Sequence, residues 1–68
     1  MRSDKEILDA LEYIYENKNG YFHELIDYVD EELVDIFRVI GFIHIGYTLK
    51  YRTWSITSLG KQYYKDIR

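Results

Sequence analysis

The sequence predicts one small α+β domain, mostly α, with three helices, a two-stranded β-hairpin and a last helix. Three observations carry this. Apolar residues recur with a helical period up to residue 40 and with a period of two between residues 42 and 56. Glycine or an N-capping residue stands at most places where the pattern breaks. The chain has 68 residues with no Pro and no Cys, a length that holds a single domain, residues 1–68. Without disulfides or thiol metal sites, apolar packing has to hold that domain together.

The first helix spans about residues 4–18. Ile7, Leu8, Leu11, Ile14 and Tyr15 fall on one face of a 3.6-residue period. Ser3 with Glu6 three residues on is a capping-box pattern, and Asn19-Gly20 supplies the stop. Phe22, Leu25, Ile26 and Val29 mark a second helix of about two turns. Asp30 N-caps a third, whose first turn holds Glu31 and Glu32 and whose expected inward face is Leu33, Ile36, Phe37 and Ile40. Gly41 ends it.

From there the spacing is that of a hairpin. Ile43 and Ile45 alternate with His44, and Arg52, Trp54 and Ile56 alternate with Thr53 and Ser55, around a loop at Gly46-Tyr47-Thr48-Leu49-Lys50. Trp54 is expected inward, across from Ile45. Thr57 N-caps the last helix, in which Leu59, Tyr63 and Ile67 share a stripe.

The order of elements and two local motifs resemble the winged helix-turn-helix family over nearly the whole chain. Gly41-Phe42-Ile43 looks like the family's step from third helix into wing. Ile56-Thr57-Ser58-Leu59-Gly60-Lys61 looks like its step from wing into last helix. The resemblance implies a small DNA-binding regulator of the archaeal, viral or phage type, often dimeric, with the third helix as major-groove reader and the hairpin as wing.

Charge complicates that reading. The formal net charge is -3. Residues 1–35 hold three basic residues, Arg2 among them, against eleven acidic ones, whereas residues 36–68 hold six basic residues against Asp66 alone. The outward positions expected on the third helix are Glu31, Glu32, Val34, Asp35 and Arg38. Such a face meets the dense negative charge of duplex DNA with its own sign. The wing carries the opposite chemistry, with Tyr47, Thr48, Lys50, Tyr51 and Arg52 in and beside its loop, a mixture suited to phosphates, sugars and exposed bases. Arg38 and Lys61 extend it. The expected DNA-binding set is therefore Arg38, Tyr47, Thr48, Lys50, Tyr51, Arg52 and Lys61. The alternative is a protein-interaction domain that offers Glu31, Glu32, Val34 and Asp35 to a basic partner.

Other classes find little support. Catalysis by paired carboxylates needs a pocket that separates two pKa values, and a domain of this size has little room for one. No phosphate loop, nucleophile elbow or cofactor fingerprint is present, so no enzyme and no cofactor is expected. His23 and His44 lie far apart in sequence without Cys or close carboxylate spacing, so no metal site is expected. No apolar run approaches the ~20 residues of a membrane span. The charged start is unlike a signal peptide, and the absence of Cys fits the cytoplasm. Eight tyrosines in 68 residues cannot all be buried. Tyr15 and Tyr63 are expected in or at the edge of the core. Tyr13 and Tyr64 are the expected contacts of a homodimer.

Overall fold

The computed structural model describes residues 3–68, so Arg2, counted above in the acidic half, lies outside the described residues. Ser3 accepts the Glu6 N–H at 3.2 Å and opens α1, Asp4–Asn17. Leu11 and Ile14 on α1 are fully buried. The helix is stopped by Lys18, which takes a positive φ of 71° with ψ -41° while its N–H still reaches the Ile14 carbonyl. Asn19-Gly20 is therefore not the stop. It forms β1, Asn19–Tyr21, a strand that the sequence reading lacks. Three residues are too few for an alternation to register.

α2, Phe22–Tyr28, follows at once and buries Phe22 and Leu25. Asp30 then accepts the Glu32 N–H at 2.8 Å and caps α3, Glu31–Val39. Gly41, at φ 87°, closes α3 as expected. Its N–H donates to the Arg38 carbonyl and the Phe42 N–H to the Phe37 carbonyl. This is the Schellman arrangement, which needs the left-handed residue that glycine supplies without strain.

β2, Ile43–Tyr47, and β3, Arg52–Ile56, pair antiparallel with Ile45 opposite Trp54, as the alternation predicts. The sheet has three strands instead of the expected two, in the order β1-β3-β2, and all its pairings are antiparallel. Lys18 extends the first pairing by accepting the Ile56 N–H at 2.7 Å. α4, Ser58–Ile67, completes a mostly helical α+β fold of four helices and one sheet.

Thr57 joins three elements. Its hydroxyl accepts the Gly60 N–H at 3.1 Å and donates to the Gly41 carbonyl at 2.6 Å, and its N–H donates to the Phe42 carbonyl at 3.0 Å. α4 thereby starts against the turn that ends α3. The approach is so close that a Cβ on Gly60 would collide with the Phe42 carbonyl oxygen.

Both of these helices are rotated from expectation. Leu33, Val34 and Phe37 are the buried residues of α3, and Ile36 and Ile40 remain about half exposed. Val34, expected to face outward, is only 2% exposed. On α4, Gly60 and Tyr64 are buried, and Leu59, Tyr63 and Ile67 are exposed. Tyr64 packs on Tyr15 at 4.7 Å between ring centroids and is core, so it is not an outward dimer contact. Tyr13 stacks on Tyr28 at 5.2 Å and packs partly buried against the core.

Candidate nucleic-acid interface

The hairpin end gathers residues from three segments. Tyr47 closes β2 and pairs with Arg52, the first residue of β3. Between them Thr48 holds the loop shut. Its hydroxyl accepts the Tyr51 N–H at 2.9 Å and donates to the Tyr51 carbonyl at 3.0 Å, and its N–H donates to that carbonyl at 2.8 Å. Thr48 is thus a brace of the turn and remains exposed. The brace leaves Leu49 and Lys50 at the tip. Leu49 is fully exposed and Tyr47 is 75% exposed.

The two arginines are held differently. Arg52 lies over the Phe22 ring, 4.1 Å from its centroid, which fixes the guanidinium against the start of α2 while leaving the residue exposed. Such a contact lowers the entropy lost when the cation meets an anion. Tyr51 continues this cluster, 5.3 Å from Tyr21, which stacks on His23 at 5.7 Å. Arg38 donates to Asp35 at 2.7 Å. That hydrogen bond and charge, with a smaller contribution from nearby Tyr47, hold the guanidinium above its ordinary pKa.

Lys61 does not join them. It sits in the first turns of α4, its N–H donating to the Thr57 carbonyl. Thr57 follows the Ile43–Ile56 base of the hairpin, a five-residue strand from the tip, or about 13 Å. Of the expected set, Tyr47, Thr48, Lys50, Tyr51 and Arg52 lie at the hairpin end, Arg38 of α3 is within electrostatic range of Tyr47, and Lys61 lies on α4, which starts from the hairpin's base. Leu49 was missed. Its signal is an apolar residue in an otherwise polar loop, the kind of side chain that minor-groove proteins wedge between bases.

The acidic set also divides. Glu31, Glu32 and Asp35 are exposed on α3, whereas Val34 is core. Glu31 and Glu32 lie in the positive first turn of the helix, where carboxylates stabilise it. Asp35 is occupied by Arg38, the one cation of α3. Among the described residues there is no group of three or more His, Cys, Asp and Glu placed to hold a metal, and no helix long and apolar enough to cross a membrane. Comparison of the chain with protein-family models, curated proteins and solved structures gives no match.

Proposed function

We propose that this chain is a small DNA-binding regulator of winged-helix layout that grips the duplex backbone with its hairpin end and does not read the major groove with α3. The observation that supports it best is the grouping of Lys50 and Arg52 with Tyr47 and Tyr51 at the hairpin end, with Arg38 of α3 within electrostatic range of Tyr47, in a chain of formal net charge -3. Positively charged side chains at phosphates give affinity and orientation, and Tyr47, Leu49 and Tyr51 supply stacking or wedging surface. α3 is unsuited to the groove because its exposed face is carboxylate and its one arginine is paired with Asp35.

The test is duplex binding as a function of salt. Three phosphate contacts correspond to a slope of log K against log salt of about -3. Lys50→Ala and Arg52→Ala each flatten it by about one. Absence of binding to random duplex at about 50 mM salt sinks the reading, because phosphate attraction is strongest there.

A second reading, a protein-interaction domain, is favoured by α3 itself. Its carboxylates Glu31, Glu32 and Asp35 border exposed Ile36 and Val39, a surface for a basic and apolar protein segment. Titration with a basic amphipathic peptide tests it, and Ile36→Glu is expected to abolish that binding.

A further inference from the structure

The rotation of α3 and α4 leaves an apolar face that neither the hairpin nor the core uses. Ile36 and Ile40 of α3 and Leu59, Tyr63 and Ile67 of α4 are each between 41% and 55% exposed. Between the two helices and Ile7 of α1 runs an open groove of about 810 Å³, with Phe37 and Phe42 also in its lining and Glu6 and Glu32 at its rim. We propose that this face is the interface of a two-fold symmetric dimer, in which α4 of a second copy lies in the groove.

Three features select a second copy. The α4 stripe recurs at i, i+4 and i+8 over about 12 Å, a ridge shaped for the groove beside another helix and longer than a small ligand requires. Tyr63 of the ridge also lines the groove, so ridge and groove adjoin on one face. A two-fold axis lets each copy insert its ridge into the other and closes the assembly at two. The five side chains, with Val39 at the edge, expose on the order of 500 Å² of apolar surface, in the range of a monomer's largest patch, which is often functional. A standard interface buries about 800 Å² per partner, and homodimer interfaces are about 65% apolar, which asks for the same area.

Charge agrees at the level of elements. α4 is the one helix with a net positive formal charge, from Lys61 and Lys65 against Asp66, and Gln62 hydrogen-bonds that carboxylate at 2.9 Å. α1 and α3 are both net negative. Packing α4 of one copy beside α1 and α3 of the other lowers the repulsion between two acidic chains.

Sedimentation velocity on the full chain decides the question, with circular dichroism to confirm folding. The expected result is a species of twice the 8.3 kDa chain mass at about 100 µM protein. Ile36→Glu and Leu59→Glu change exposed residues, so both variants keep the wild-type helical signal, and each weakens the dimer about 100-fold or more because it buries a charge. Arg52→Ala leaves the dimer intact. A wild-type monomer at about 100 µM overturns the proposal. So does a dimer that survives both Glu variants, or one that Arg52→Ala dissociates, which moves the interface to the hairpin. Capture of a basic amphipathic peptide by a chain that stays monomeric also overturns it and assigns the groove to another protein. The inference does not depend on DNA binding, since a failure of the salt titration leaves the sedimentation result unchanged.

Discussion

Replacing Thr57 by Val removes the hydroxyl that ties the end of α3 to the start of α4 and keeps the side-chain shape. The cap on the Gly60 N–H at 3.1 Å is lost, and so is the donation to the Gly41 carbonyl at 2.6 Å, which is shared with the Phe42 carbonyl at 3.0 Å. Loss of a Ser or Thr N-cap costs about 1–2 kcal/mol. A second, partly buried hydrogen bond adds about 1 kcal/mol. The backbone at Thr57, φ -94° and ψ 169°, suits Val, so no strain enters the account. The expected loss is about 2–3 kcal/mol, a large part of the roughly 3–10 kcal/mol that a domain of this length has. Urea unfolding followed by fluorescence of Trp54, the one tryptophan and 3% exposed, reads it directly. With a slope near 1 kcal/mol/M, the midpoint falls by about 2–3 M at unchanged slope. Thr57→Ser, which keeps the hydroxyl, loses less than about 1 kcal/mol. A Val variant within about 0.5 kcal/mol of wild type refutes the clamp. A Ser variant that loses as much as the Val variant refutes the hydroxyl as the sole tie, since Ser keeps it.

Two further predictions follow from strained or desolvated positions. Lys18 holds φ 71° and ψ -41°, a region that costs a residue with a Cβ about 1–3 kcal/mol, so Lys18→Gly is expected to raise the stability by a net ~1 kcal/mol after the entropy penalty of glycine, read as a higher urea midpoint. A fall in the midpoint contradicts the strain. Burial first, then Tyr28, Glu24 and Asp27, push the Tyr13 phenol above its ordinary 10.0. The fold therefore favours the protonated form, and this contribution is fully present below about pH 10 and is lost as pH rises through the higher native value. The difference in stability between wild type and Tyr13→Phe should be constant below pH ~9 and shift against wild type above pH ~10. A difference that does not change with pH removes Tyr13 from the alkaline transition.

What the sequence made legible was local chemistry with one answer. Ser3, Asp30 and Thr57 cap the helices they were expected to cap, Gly41 takes the left-handed turn, and the alternation places Ile45 across from Trp54. The rotation of α3 was not legible because Leu33, Val34, Ile36, Phe37, Val39 and Ile40 cover more than half of the helical wheel, and periodicity cannot say which arc meets the core. On α4 the misleading residue was Gly60. It has no side chain to count, yet it marks the contact face because only glycine fits against the Phe42 carbonyl. Tyr64, one position from Tyr63, then turns inward with it. At the hairpin, residue type did not reveal that Thr48 braces its own loop, because the bonds depend on the turn geometry.

The two proposed surfaces constrain one another through the salt titration. A lone hairpin end offers three cations, one of them shared with Asp35, which is few for a useful grip on DNA. Nonspecific complexes of this kind sit near 10⁻⁴ to about 10⁻⁶ M at physiological salt. Pairing two copies through α3 and α4 leaves both hairpin ends free, because the groove is lined at the base of the hairpin by Phe42 and not at its tip. Two ends then offer about six phosphate contacts, and the salt slope of the dimer becomes about -5 in place of about -3. Ile36→Glu, which carries no hairpin residue, should return the slope to about -3 and weaken binding without abolishing it. An unchanged slope in that variant means that the two copies do not bind one duplex together, whatever the sedimentation profile shows. A slope near zero means that α3, and not the hairpin, had been holding the DNA.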